Sequence, residues 1–209
     1  MKAHNASTQS SMTPQSAKQL LIEGNRRFVE DRGATRDLPG QVKDTSGGQW
    51  PFAAVLGCID SRVSPEIVFD QGVGDIFAPR IAGNFTNTDI QGSLEFSCKV
   101  AGARLIVVLG HRHCGAVKGA CDDVKLGSLT GMLANIKPAI AQVTEPQDPS
   151  QRTSANPSFV HEVALTNVRL TVDKILADSD VLREMKEAGE IDVVGAMYDV
   201  ESGAVEFLG

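Results

Sequence analysis

Arg104-Leu-Ile-Val-Val-Leu-Gly110, running directly into His111-Arg-His113-Cys114-Gly115, is the stretch on which the fold turns. Five consecutive apolar residues closed by glycine read as a strand buried on both faces, because a strand with one wet face would alternate polar and apolar positions. Outward from it, Phe52-Ala-Ala-Val-Leu-Gly-Cys58 and Ile191-Asp-Val-Val-Gly-Ala-Met-Tyr198 carry the same signature. Asp75-Ile-Phe-Ala-Pro-Arg-Ile81 is weaker, since Pro79 removes a ladder donor and predicts an edge strand or a break. A short last strand over 204–208 follows the turn Glu201-Ser-Gly203.

Helical patterns lie between these runs. Thr13 and Pro14 supply an N-cap and a first helical residue, Leu20, Leu21, Phe28 and Val29 line one side, and the helix ends near Gly33. A second pattern runs over 89–101 with Gly102 as C-cap, a third over 127–143 with a kink or stop at Pro138, and a fourth over 159–177. Residues 33–51 read as a connection and 145–158, with three prolines, as a surface loop. Residues 1–12 are expected to be a flexible tail and 13–209 a single domain. Non-alternating strands separated by helices predict an α/β fold with a mainly parallel sheet covered on both faces, and such sheets gather chemistry at the carboxyl ends of their strands.

The 209 residues are 42% apolar, which fits a globular chain, and no apolar run is long enough for a membrane helix. With Lys+Arg 20 against Asp+Glu 26, the net charge of −6 offers no field to gather phosphate backbones, so neither nucleic acid nor membrane is an expected partner. The opening MKAHNASTQSSM lacks the apolar core of a signal peptide, which predicts a cytoplasmic protein. Four cysteines are too few for a disulfide scaffold and point to metal or catalysis.

Two of those cysteines stand at strand ends. Cys58-Ile-Asp60-Ser-Arg62 follows one strand and His111-Arg-His113-Cys114 ends another. If the two strands are parallel neighbours, Cys58, His111 and Cys114 meet as a Cys₂His set for zinc, with the fourth tetrahedral position open as in catalytic sites. The plainer reading makes both thiols small buried hydrophobes and His111 a satisfied loop histidine. Asp60 and Arg62 favour the metal: charges beside a buried strand end are costly unless paired, and these two can meet as a bidentate pair beside the open position.

Taken together, Cys58-x-Asp60-Ser-Arg62, Arg80-x-Ala82-Gly83-Asn84 and His111-x-x-Cys114-Gly115 resemble the β-class carbonic anhydrases over roughly residues 13–208. The resemblance implies one Zn²⁺ per chain on Cys58, His111 and Cys114, a catalytic dyad of Asp60 and Arg62, and a pocket lined by the Gly115 backbone. It implies four parallel strands with an antiparallel edge strand and an N-terminal helical arm lying across a neighbouring subunit. The assembly implied is a homodimer at least, often paired again into tetramers.

Within the family, Gln49 and Phe77 match the plant-type sub-type, and Phe96 keeps the ring of its tyrosine without the hydroxyl. Val55 stands where the bicarbonate-switched sub-type needs tryptophan, although Arg80 matches that pocket's arginine. The expectation is an open zinc site at neutral pH, with zinc-bound hydroxide attacking CO₂ to give bicarbonate and a proton. Asp60 would accept a hydrogen bond from that hydroxide, Phe77, Phe96 and Ala82 would offer a dry recess, and Gln49 would donate to a CO₂ or bicarbonate oxygen. His113 could ferry protons but is more simply a surface-loop histidine. Cys98 and Cys121 read as packing residues. Two alternatives share the ligands: a zinc hydrolase acting on COS or CS₂, and a non-catalytic zinc or redox-sensing protein, which the Asp60-Arg62 pair disfavours.

Overall fold

The computed structural model describes residues 2–208; Met1 of the expected tail and Gly209 at the end of the expected domain lie outside them. In chain order the elements are α1 (Ala6–Ser10), α2 (Pro14–Val29), α3 (Leu38–Asp44), β1 (Ala53–Gly57), α4 (Pro65–Val68), β2 (Ile76–Phe77) and α5 (Thr88–Glu95). There follow a π-helical turn (Phe96–Val100), β3 (Leu105–His111), α6 (Gly115–Cys121), α7 (Gly127–Ala134), α8 (Lys137–Gln142), a 3₁₀ turn (Pro149–Gln151), α9 (Pro157–Ala177), α10 (Asp180–Glu187), β4 (Asp192–Tyr198) and β5 (Val205–Phe207). The strands form one sheet in the order β2-β1-β3-β4-β5. β2, β1, β3 and β4 are parallel, and β5 adds to β4 antiparallel. The expected architecture is therefore present, with β2 at one edge where Pro79 stops it.

All residues of β1 and β3 are buried, and successive side chains serve opposite layers. Ala54, Leu56, Ile106 and Val108 face a core closed by α5 to α10, while Ala53, Val55, Leu105, Val107 and Leu109 face Ala17 and Leu21 of α2 and Phe69 after α4. Burial on both faces is why these strands read as unbroken apolar runs. Among the described residues no helix is long and apolar enough to cross a membrane.

Three segments differ from the sequence expectation. Where a tail is expected, Asn5 caps α1 and Gln9 Nε2 donates to the carbonyls of Pro51 (2.8 Å) and Ala101 (2.7 Å), tying residues 6–10 to the foot of β1. Within the expected connection 33–51, α3 begins on the Asp37 side chain, which accepts from Gly40 N; its Pro39 and Gly40 disguise a helix as a loop. α10 falls in 178–190, to which the sequence reading assigns no element, although Leu182 and Met185 are spaced to turn inward together.

The helical arm α2 packs on its own sheet. Gly24 sits where a Cβ would come within 1.8 Å of the Phe69 carbonyl oxygen, so helix and backbone touch there. Beside it, buried Asn25 donates Nδ2 to the carbonyls of Val68 (3.0 Å) and Gly203 (2.9 Å) and accepts from Val205 N (2.8 Å). One side chain thus joins α2, α4 and the start of β5. Asn25→Ala strands these groups and is expected to cost about 2–3 kcal/mol, read as a lowered urea midpoint with unchanged slope.

Candidate metal centre

β1 and β3 are parallel neighbours in the register Gly57↔Leu109, so the chain leaves both strands at one edge of the sheet. Cys58 is the first residue past β1, His111 the last of β3, and Cys114 the N-cap of α6. His113 adopts φ 58°, a left-handed turn that brings Cys114 back toward the strand end. Among the described residues, these three side chains form the group able to hold a metal, their ligand atoms all within 4.8 Å of one another.

The protonation of the set follows from its partners. His111 is fully buried and its Nδ1 lies 3.0 Å from the Arg112 carbonyl, which can only accept; the hydrogen therefore sits on Nδ1 and the Nε2 lone pair is free. That Nε2 is buried without a hydrogen-bond partner. The Cys58 and Cys114 sulfurs are 3.9 Å apart. A hydrogen bond from the Cys114 thiol, joined by the Gly83 N–H (3.3 Å from Cys58 Sγ), holds the Cys58 thiol well below its usual range against the effect of burial. The same hydrogen bond and burial push the Cys114 thiol up. A thiolate, a poised second thiol and an orphaned imidazole lone pair in a buried corner suit a soft divalent ion such as zinc.

Beside them stands the charge pair anticipated from sequence. Asp60 Oδ1 accepts from Arg62 N (3.0 Å) and Nε (2.9 Å), and Oδ2 accepts from Arg62 Nη2 (2.8 Å). These bonds hold the Asp60 carboxyl well below the usual carboxylate range, and Asp60 in turn raises the Arg62 guanidinium. Asp60 Oδ2 lies 3.9 Å from His111 Nε2.

The remaining expected residues divide. Ala82 is half-buried next to Gly83, and Gly115 is exposed at the first position of α6 with open space where a side chain would stand. Gln49 is exposed in the segment after α3. Phe77 and Phe96 do meet each other, edge to face at 6.2 Å, but elsewhere: Phe77 pairs with Ala54, four residues before Cys58, or about 13 Å along the strand. Their cleft is lined by Pro79, Thr88, Asp89 and Ser93. Val55 points into the core on the α2 side. His113 is partly exposed and bonded to Glu201 at 3.2 Å. Burial pushes Cys98 up to about 12 and Cys121 up to about 11, so both remain thiols.

Sequence reasoning missed three supports of the centre. The Gly83 N–H on Cys58, the Asn167 Nδ2 on the Gly83 carbonyl (2.8 Å) and the Arg80 bonds to the carbonyls of Cys58 and Asp60 are contacts of backbone atoms, which residue types do not reveal. Only the glycine in Ala82-Gly83-Asn84 hinted at a tight turn.

Residues 53–205 match the family model described as carbonic anhydrase. The carbonic anhydrase 2 of Mycobacterium tuberculosis is 36% identical over 194 residues, covering 91% of this chain and 90% of that protein. The carbonic anhydrase of Mycolicibacterium smegmatis is 34% identical over 200 residues, covering 92% of each. Among solved structures, the β-carbonic anhydrase CafA of Aspergillus fumigatus aligns with a TM-score of 0.72 at 25% identity over 93% of this chain and 89% of its own.

Gly83 holds φ 85°, and a Cβ there would come within 2.6 Å of Ile136 Cδ1 in the packed core. Gly83→Ala is expected to cost about 1–3 kcal/mol of stability, seen as a lower denaturation midpoint. It is also expected to weaken the thiolate ultraviolet absorbance of the metal-free protein as the N–H moves off Cys58.

Proposed function

This chain belongs to the β-class carbonic anhydrases and catalyses the hydration of CO₂ to bicarbonate and a proton; on that premise we propose that the reaction runs at the Cys58, His111 and Cys114 corner with Asp60 and Arg62 as its dyad. The observation that carries this reading is the buried, unpartnered His111 Nε2 aimed at two thiol sulfurs, with all donor atoms within 4.8 Å. These residues fit one Zn²⁺ per chain. Zinc held there supplies the Lewis acidity that lowers the pKa of water toward about 7.

The chain's own part is to orient and to exclude. Oδ2 of Asp60 carries one bond from Arg62 where Oδ1 carries two, so Oδ2 keeps a lone pair toward the side on which His111 lies. Because Arg62 holds the carboxyl far below the usual range, Asp60 stays ionised through neutral pH. It therefore accepts a hydrogen bond from water and fixes that water's orientation without retaining the proton, which passes to solvent or buffer. Ala82 and the bare Gly115 leave room for CO₂ beside the corner.

We assign the chain to the open, plant-type arrangement. Support comes from Asp60, engaged by Arg62, and from Val55, whose side chain is packed into the opposite core. Arg80, the match to the bicarbonate pocket's arginine, uses its guanidinium on backbone carbonyls.

We also assign a homodimer whose second subunit completes the pocket. Phe77 on β2, and with it Phe96 packed against its ring, lies too far back along the sheet to line Cys58 of its own chain. Phe96, against Phe77 at the unpaired edge of β2, is 48% exposed, and Val100, four residues further along the same π-helical turn, is 72% exposed. Covering that edge with a second copy would satisfy its free backbone groups and carry the two rings to the neighbouring centre. A cytoplasmic setting suits two sulfurs 3.9 Å apart that must stay reduced.

Asp60→Asn is expected to keep one equivalent of zinc by metal analysis while CO₂ hydration in stopped flow falls about 10²- to 10⁴-fold. Cys114→Ser should lose the metal together with the activity. Zinc-loaded Asp60→Asn protein with full turnover would refute the dyad. Val100→Asp is expected to convert dimer to monomer in sedimentation velocity and to remove most hydration activity at unchanged zinc content.

A further inference from the structure

β1 stops at Gly57, and the residues that carry the chemistry come after it, where no strand ladder fixes the backbone. Gly57 itself is secured to the edge chain, its N–H donating to the Pro79 carbonyl (3.0 Å) and its carbonyl accepting from Ile81 N (3.1 Å). Arg80 lies between those two contacts, opposite Gly57. From there its side chain reaches past the strand end, Nε donating to the Cys58 carbonyl (2.8 Å) and Nη2 to the Asp60 carbonyl (2.7 Å).

We infer that Arg80 is a positioning residue that fixes the Cys58 and Asp60 backbone as one unit, setting the carboxylate relative to the Cys58 sulfur. Resting on the dyad reading above, this role explains how the backbone beneath the dyad is held. Arg62 bonds Asp60 from within the same short segment and is itself 53% exposed, so the pair fixes the carboxyl to its own turn and leaves the turn to be fixed to the sheet by other contacts. Arg80 is half-buried, and its planar fork spans two carbonyls two residues apart. Cation-to-carbonyl bonds of this length are charge-assisted, and a rigid fork makes both at once. A lysine ammonium at the end of a flexible stem keeps the charge but lacks that fork.

The same two bonds argue against Arg80 as an anion ligand in this chain. Nε and Nη2 are already donated to the backbone, and an incoming anion would have to take the donors that hold the Asp60 loop.

The test uses full-length Arg80→Gln and Arg80→Lys, each alone and combined with Asp60→Asn, and reads two quantities. Zn²⁺ affinity of the metal-free proteins, measured by chelator competition, is expected to weaken about tenfold in both Arg80 variants whatever stands at 60, because the Cys58 carbonyl is released. For the zinc-loaded enzymes, kcat/KM for CO₂ should fall about 10- to 100-fold in both single Arg80 variants. In the Asp60→Asn background the Arg80 substitutions should cost nothing further, since the group they position is gone. Wild-type turnover and zinc affinity in Arg80→Lys would show that charge alone suffices and overturn the proposal. Losses that multiply in the double variants would overturn it too, marking a role independent of Asp60. If Asp60→Asn alone left hydration intact, the dyad reading would fail instead, and the zinc competition would still decide whether Arg80 holds Cys58.

Discussion

The parallel ladder between β1 and β3 is the constraint from which the rest follows. Five residue pairs, Ala53↔Leu105 through Gly57↔Leu109, bring two strand ends to a common edge, and everything chemical in the chain hangs from those ends. A slip of one residue would turn Cys58 from the layer it shares with Leu56 and Ile106 to the α2 side, away from Cys114. The complete burial of both strands enforces the register, because each face must match a different set of helices. The centre thus borrows its precision from the hydrophobic core.

What the ladder cannot fix is the segment 58–64 between β1 and α4, and here polar contacts take over. The edge chain bonds to Gly57 on both sides, Arg80 reaches over the turn, Gly83 donates to the Cys58 sulfur, and Asn167 of α9 holds the Gly83 carbonyl. The elements that surround the corner therefore contribute donors, while the carboxylate and the sulfur accept. That polarity suits a corner that must keep a thiolate and an ionised carboxylate close together.

Much of this was legible in the sequence because it rests on side-chain type. Unbroken apolar runs gave away the doubly covered strands, and Cys58, Asp60, Arg62, His111 and Cys114 announced themselves by sitting at strand ends. The α3 helix did not, since Asp37-Leu-Pro-Gly40 has the composition of a turn while serving as a capped helix start. The docking of α1 was hidden for another reason: it depends on one glutamine finding two carbonyls 42 and 92 residues away. Arg80 was visible as a residue but not in its role, because what it binds is backbone. Phe77 and Phe96 show the opposite limit. Their identity fitted a pocket, yet the pairing of Phe77 with Ala54, and the packing of Phe96 on Phe77, set them a strand's length from Cys58 within one chain.

That separation carries a genetic consequence. With the metal ligands at one end of β1 and the aromatic rim alongside its start, the proposed dimer builds each pocket from parts of two polypeptides. A lesion in the ligands and a lesion in the rim then damage different halves of the machinery. A mixed dimer of the two defective chains would concentrate both faults in one pocket and leave the other whole, so two inactive alleles could complement each other within a single cell.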